Sequence, residues 1–182
     1  LLEFKRIGDD RNTDELFSEL CFCLMTANFQ AEKSMQLQKE LEKMFFDDSE
    51  KTLALALKKG GHRFWPQRAE RIVLARKNRT QLIELLEKDG LIAREWLVEN
   101  IKGLGMKEAS HYLRNIGFGD VAIVDFHIVD LLVREDLIEK PSSKSLTKKK
   151  YLEIEKVLKK ISNELEMGLD KLDLCLWYLE TG

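Results

Sequence analysis

Lys107 and Asp125 are the two residues of this chain whose types and spacing can do covalent chemistry. Lys107 stands in the first turn of a predicted helix. Asp125 follows a short apolar run, Val121 to Val124, that leads into another helix. An amine attacks only when neutral, so a lysine nucleophile needs surroundings that strip its water and lower its pKa. Leu104, Met106, Ile116 and Val124 are the apolar residues that can supply them. A carboxylate at the same carbon stabilises positive charge as a leaving group departs, as at the oxocarbenium-like centre of a sugar. Each residue alone has an ordinary explanation: Lys107 as a solvated surface lysine, Asp125 as a helix cap or an arginine's partner.

The elements that must position this pair begin with a tight turn. Gly103, Leu104 and Gly105 form a hairpin between two helices, with Leu104 placed to pin it to the core. Such a turn exposes the free amides at the start of the second helix, where N–H groups and the helix dipole suit a phosphate. The outward carbonyls of Glu99, Ile101 and Leu104 can hold a monovalent cation that bridges to that phosphate. Gly-x-Gly alone also fits a plain joint between helices. Its coupling to Lys107 and Asp125 raises the interest.

Composition sets the scaffold. The 182 residues carry 44% hydrophobic and 34% charged residues, ordinary for a globular protein, and only 2 Pro and 10 Gly. Apolar residues recur at three-and-four spacing, which predicts an all-α fold. No apolar run reaches membrane-spanning length, and no charged-then-apolar leader opens the chain, although Leu1 suggests that the natural start is missing. The net charge of −2 argues against a uniformly basic nucleic-acid binder but allows segregated faces. Cys21, Cys23 and Cys175 form no paired framework and read as buried, reduced thiols. Helices are predicted over about 13–29 with Thr13 as cap, 31–46, 50–59 with Ser49 as cap, 67–77, 81–88 with Thr80 as cap and Gly90 as stop, and 91–100. Further helices are predicted over 107–116, 125–134, from Ser145 or Thr147 to about 166, and from Asp170 to 178. The charge run of Lys144 and Lys148 to Lys150 fits a solvated face or a phosphate-contacting patch.

Gly103-Leu104-Gly105-Met106-Lys107 followed by Val124-Asp125-Phe126-His127 resembles the signature of the helix-hairpin-helix DNA glycosylase superfamily. Within that superfamily, the lysine implies a member that removes a base and then nicks the strand. The endonuclease-III-like branch carries a four-cysteine iron–sulfur loop that this chain lacks. Three further segments, Thr26-Ala27-Asn28-Phe29-Gln30-Ala31, Arg63-Phe64-Trp65-Pro66-Gln67-Arg68-Ala69 and Trp177-Tyr178-Leu179-Glu180-Thr181-Gly182, resemble the archaeal-type 8-oxoguanine DNA glycosylase family. The likeness then spans nearly the whole chain. It implies two helical lobes with an interlobe active-site cleft. A barrel-like lobe over 31–122 would carry the hairpin, and residues 1–30 with 123–182 would form the other. The family is expected to continue past Gly182 in a short basic tail near the lesion.

The resemblance also implies a substrate pocket. A base inside a duplex must be flipped out before chemistry reaches its sugar. Phe64 and Trp177 are the implied stacking partners, with core packing the rival explanation, stronger for Trp177 in its apolar stretch. Asn28 and Gln30 are candidates for other edges of the base, or else turn and capping residues. His127 either helps place a phosphate or serves structure. His111 reads as a surface residue. Gln67, Arg68 and Arg71 fit phosphate contacts or a solvated helix face equally well. The implied reaction needs no cofactor. The implied partner is double-stranded DNA containing 8-oxoguanine, met by a monomer in the cytoplasm of a prokaryote, close to its nucleoid. Rival readings are an oxidised-pyrimidine glycosylase on the same scaffold, a non-catalytic helix-hairpin-helix DNA-binding module, and a purely structural helical protein.

Overall fold

The structure, a computed structural model, describes the backbone of residues 1–143 and 145–181 and the side chains of these through residue 179. Lys144 and Gly182 therefore lie outside the described residues. Eleven α-helices and no strand form among the described residues. They are α1 (Leu2–Asp10), α2 (Thr13–Thr26), α3 (Ala31–Asp47), α4 (Glu50–Lys59), α5 (Trp65–Ala75), α6 (Leu82–Leu85), α7 (Gly90–Asn100), α8 (Met106–Asn115), α9 (Phe126–Arg134), α10 (Lys148–Glu164) and α11 (Leu169–Thr181), with a 3₁₀ turn, Arg76–Asn78, after α5.

Several boundaries differ from the expectation for local reasons. Helix α1 has no counterpart in the sequence reading; it is only nine residues long and buries only Ile7. Charge helps to hold it: Arg6 pairs with Glu3 and Asp10 on α1 and with Glu15 on α2. Asn12, not Thr13, caps α2, its side chain accepting the Asp14 and Glu15 amides. The helix expected over 81–88 shortens to α6, and the Thr80 hydroxyl bonds the Gln81 side chain instead of capping. Gly90 starts a helix instead of ending one, because Asp89 caps α7 through the Leu91 amide. The Gly90 amide meets Asp120 Oδ2 at 3.0 Å, and a β-carbon there would lie 2.2 Å from that carboxylate. Asp170 falls inside the first turn of α11, whose start is tied to the 117–120 turn by the Leu169 amide on the Gly119 carbonyl. Thr147, of the two candidates, caps α10.

The buried side chains form two clusters that meet between Val121 and Ala122. The larger runs from Ile7 to Val121, and the fully buried face of α2 lies inside it. Residues 16–25, which the resemblance assigned to the C-terminal lobe, thus pack with 37–121. The smaller runs from Ala122 to Leu172 and draws on α9, α10 and α11. Cys21 and Cys23 are buried as expected, and burial pushes both thiols up. Cys175 is exposed on α11, against expectation.

One buried ion pair crosses between the clusters. Arg94 of α7 meets Glu155 of α10 in a two-pronged contact of 2.5 and 2.7 Å, with both side chains less than a tenth exposed. Losing one partner should cost about 3–5 kcal/mol, because the other charge stays buried without compensation. Arg94→Met is therefore expected to lower stability by about that amount in urea unfolding. Arg94→Met with Glu155→Leu should recover part of the loss, short of about 1–3 kcal/mol for the Ala122 amide that Glu155 now receives. A double variant no more stable than the single one would contradict this account.

Candidate active site

The hairpin takes its shape from backbone torsion and one neighbouring side chain. Gly103 has φ +99°, a region that costs glycine little. The Arg71 side chain packs against it so closely that a β-carbon would lie 2.4 Å from Arg71 Cδ. Leu104 is buried in the larger cluster, as its pinning role requires, and its amide donates to the Ile101 carbonyl at 3.2 Å. Gly105 is extended (φ −96°, ψ −174°), and no side chain caps α8. The amides of that first turn are thus left to an external acceptor.

Lys107 sits in this uncapped turn with 34% of its side chain exposed, its Nζ 4.0 Å from Glu108 Oε1. Leu104 and Val124 are buried and Met106 packs on the smaller cluster, as the apolar setting requires. Ile116 is not part of it. It follows the far end of α8, about 13 Å of helix away from Lys107. Glu108 was not anticipated.

Asp125 is the N-cap of α9, its Oδ1 accepting the Ile128 amide at 2.9 Å. The segment before it, 121–124, is buried and clamped by the side chains of α10. Glu155 Oε1 accepts the Ala122 amide at 2.8 Å. The Tyr151 hydroxyl donates to the Ala122 carbonyl at 2.7 Å and accepts the Val124 amide at 3.1 Å. The same hydroxyl lies 3.2 Å from Ser110 Oγ, which takes a bond from Arg94 Nη1 at 3.1 Å. Ser110 lies one turn after Lys107 on α8. A single buried network therefore joins the helix that bears the lysine to the segment that bears the carboxylate. Burial pushes the Tyr151 hydroxyl up to about 12, so it stays a donor at neutral pH.

A second carboxyl completes the cluster. Asp173 on α11 is largely buried beside Leu172 and Leu176, with Arg114 Nη2 3.8 Å away. Burial pushes it up to about 6, a rise opposed by Arg114 and Lys107 and reinforced by Asp125 and Asp170. Lys107 and Asp125 thus act on the same buried acid. Sequence gave one signal for Asp173: an acidic residue in an apolar stretch, one turn before Trp177. His111 is half-buried and edge-on to Phe22, not on the surface. Burial and the cations Arg114 and Lys107 hold it down at about 3.

The residues expected around the base lie in three places. Phe64 is the half-buried N-cap of α5, with the guanidinium carbons of Arg63 and Arg68 at 4.5 and 5.6 Å from its ring centroid. Asn28 is exposed with φ +59°, a conformation asparagine tolerates. Gln30 is exposed, and its carbonyl accepts from Ser34. Trp177 is 57% exposed on α11, which removes the core-packing explanation. His127 is exposed at the start of α9 and stacks on Phe126, itself 57% exposed and not anticipated. Arg68 is buried and bonded to the Ala27 carbonyl, so it is no part of a solvated face. Among the described residues no cluster of three or more His, Cys, Asp or Glu could hold a metal.

Known proteins resemble this chain in sequence and fold. A family model described as 8-oxoguanine DNA glycosylase matches residues 1–167. The chain belongs to the 8-oxoguanine DNA glycosylase family. Two relatives named 8-oxoguanine DNA glycosylase/AP lyase, from Korarchaeum cryptofilum and Methanocaldococcus jannaschii, are each 48% identical over 99% of this chain, covering 85% and 86% of their own lengths. The crystal structure of the Thermotoga maritima 8-oxoguanine DNA glycosylase matches with a TM-score of 0.93 at 44% identity, over 100% of this chain and 86% of that one. The M. jannaschii 8-oxoguanine glycosylase/lyase, solved with a 15mer DNA containing 8-oxoguanine, matches with a TM-score of 0.94 at 45% identity, over 100% and 87%.

In this family member, Asp173 and His111 give stability opposite pH dependences. The folded protein holds the Asp173 proton more tightly than the unfolded chain does. That contribution is complete below about pH 4 and is lost as pH rises through about 6. His111 does the reverse: its contribution is complete above about pH 6.5 and is lost as pH falls toward about 3. Asp173→Asn should leave stability nearly unchanged at about pH 4 and raise it by about 1–3 kcal/mol at about pH 8, read by urea unfolding. An equal change at both pH values would assign the effect to the Arg114 contact instead of titration.

Proposed function

We infer that this chain excises 8-oxoguanine from double-stranded DNA and then cleaves the strand at the resulting site, with Lys107 as nucleophile and Asp125 as the electrostatic partner. The observation that carries the reading is the likeness, over 99% of the chain, to relatives named for both activities. The uncapped start of α8 supports a phosphate contact through Gly103, Leu104 and Gly105, with His127 beside it and a monovalent cation at the carbonyls of Glu99, Ile101 and Leu104. The base turns into a cleft between two helical lobes, one built on the larger cluster with the hairpin and one on α9, α10 and α11. Phe64 and Trp177 stack on it, each contact contributing on the order of 1–3 kcal/mol. Asn28 and Gln30 meet its edges.

The chemistry then follows from the residues. The neutral Lys107 amine attacks C1′, and the glycosidic bond breaks with its electron pair going to the departing base. Asp125 stabilises positive charge on the sugar through this step. Ring opening converts the amine adduct to a Schiff base. Loss of a C2′ proton expels the 3′ phosphate by β-elimination, and water releases Lys107. No cofactor enters. The protein works as a monomer in a prokaryotic cytoplasm, near the nucleoid. No helix among the described residues is long and apolar enough to cross a membrane.

Borohydride trapping tests the nucleophile. Lys107→Gln is expected to lose the covalent adduct and strand nicking while still binding an 8-oxoguanine duplex. An adduct of undiminished yield would remove Lys107 from that role. Asp125→Asn should slow base removal about 10²–10³-fold with little change in binding; equal losses in both would make Asp125 a structural cap. Duplexes carrying thymine glycol or uracil should be poor substrates beside 8-oxoguanine.

A further inference from the structure

Two loops that are far apart in sequence are locked together beside Phe64. One joins α2 to α3 and carries Asn28; the other joins α4 to α5 and ends in Phe64. His62 makes one tie. Its Nδ1 accepts the Phe64 amide at 3.1 Å, so its Nε2 carries the proton and donates to the Met25 carbonyl at 3.0 Å. Its ring stacks on Phe29 at 4.1 Å. Arg68 makes the other tie. Its Nη2 donates to the Ala27 carbonyl, and its guanidinium lies 5.6 Å from the Phe64 ring centroid.

Arg68 is an expensive way to make that tie. The residue is 4% exposed, and its Nε is buried without a partner. No ion pair to a carboxylate compensates it among the described residues. Burial, with Arg71 adding to it, pushes the guanidinium down to about 10. A methionine would fill similar space without burying a charge, so packing alone gives no reason for arginine here. What arginine adds is a rigid fork that faces an aromatic ring and reaches a carbonyl at the same time. The carbonyl it reaches precedes Asn28, the residue held exposed at φ +59°.

We propose that Arg68 is a positioning residue for lesion recognition, whose guanidinium fixes the face of Phe64 relative to the loop that presents Asn28. This rests on the reading that Phe64 stacks on the extruded base. On this proposal Arg68 acts through Phe64 and the Asn28 loop, its partners being the Ala27 carbonyl and the Phe64 ring. Its effect is confined to steps that need the base in place.

A pair of substrates separates this role from a general structural one. The first is a duplex containing 8-oxoguanine. The second is the same duplex with a preformed abasic site, which has no base to stack. Arg68→Met should slow single-turnover excision of 8-oxoguanine about 10–100-fold, the scale of a misplacement near 1 Å. Its nicking of the abasic duplex should stay within about threefold of the unaltered protein, a split that general damage to the site would not produce. Arg68→Lys keeps the charge near Phe64 but loses the fork, and should show the same split at smaller size; it also serves if the methionine variant does not fold. Equal losses on both substrates, or no loss on either, would overturn the proposal. Phe64→Ala is the control on the stacking reading. Excision untouched by that change ends the stacking role itself. Excision lost in Phe64→Ala but retained in Arg68→Met ends only the coupling.

Discussion

Arg94 and Glu155 hold the two halves of this molecule in register, and they do so at the place where register matters most. The lysine and the aspartate that define the candidate site come from different apolar clusters: Lys107 from a helix rooted in the larger, Asp125 from the start of the smaller. Apolar contacts resist separation, but they are non-directional and allow sliding. A two-pronged guanidinium–carboxylate contact is directional, and here it is extended by bonds from Ser110, Tyr151, Ala122 and Val124. Each ion costs several kcal/mol to bury, so the pair contributes little net stability. Its contribution is geometric. It fixes the backbone that ends in Asp125 against the helix that begins with Lys107.

The charges around that pair form a second level of control. Asp173 feels Lys107, Arg114 and Asp125 together, and burial leaves it titrating near about 6. His111, on the same helix as Lys107, is held neutral by burial and by the same cations. With that histidine neutral, Lys107 and Arg114 are the cations on this helix that offset the acids. The arrangement keeps opposite charges near one another without a direct lysine–aspartate contact. A nucleophile locked in a short ion pair with Asp125 would have to break it before attacking.

Much of this was legible in the chain because it follows local rules. Ser49, Thr147 and Asp125 announce the helices they cap, and the Gly103–Gly105 turn announces the hairpin. What stayed hidden depends on partners far away in sequence. Arg94 and Glu155 sit 61 residues apart and look like two solvated charges until the fold buries them. Asp173 is one acid in an apolar stretch, and only its burial in the fold, opposed by Arg114, raises its pKa. Arg68 reads as one more cation on an amphipathic helix, because nothing local shows that Ala27 will lie over it. Helix α1 escaped because it is short, nine residues with Ile7 alone buried, and it packs through long-range partners such as Arg114 over the Phe4 ring.

The exposure of Lys107 carries a last consequence. The apolar residues near it are buried, yet a third of its own side chain meets solvent, and a four-carbon stem leaves its amine mobile. The protein alone therefore does not complete the dry surroundings that an attacking amine needs. A duplex bound at the adjacent uncapped helix start would cover the same turn and exclude that water. On this physical picture the rigid parts, the Arg94–Glu155 network and the Asp125 cap, set direction in advance. The partly exposed amine is left open to solvent on one side. If Lys107 is the nucleophile proposed above, that division makes the bound duplex part of its surroundings.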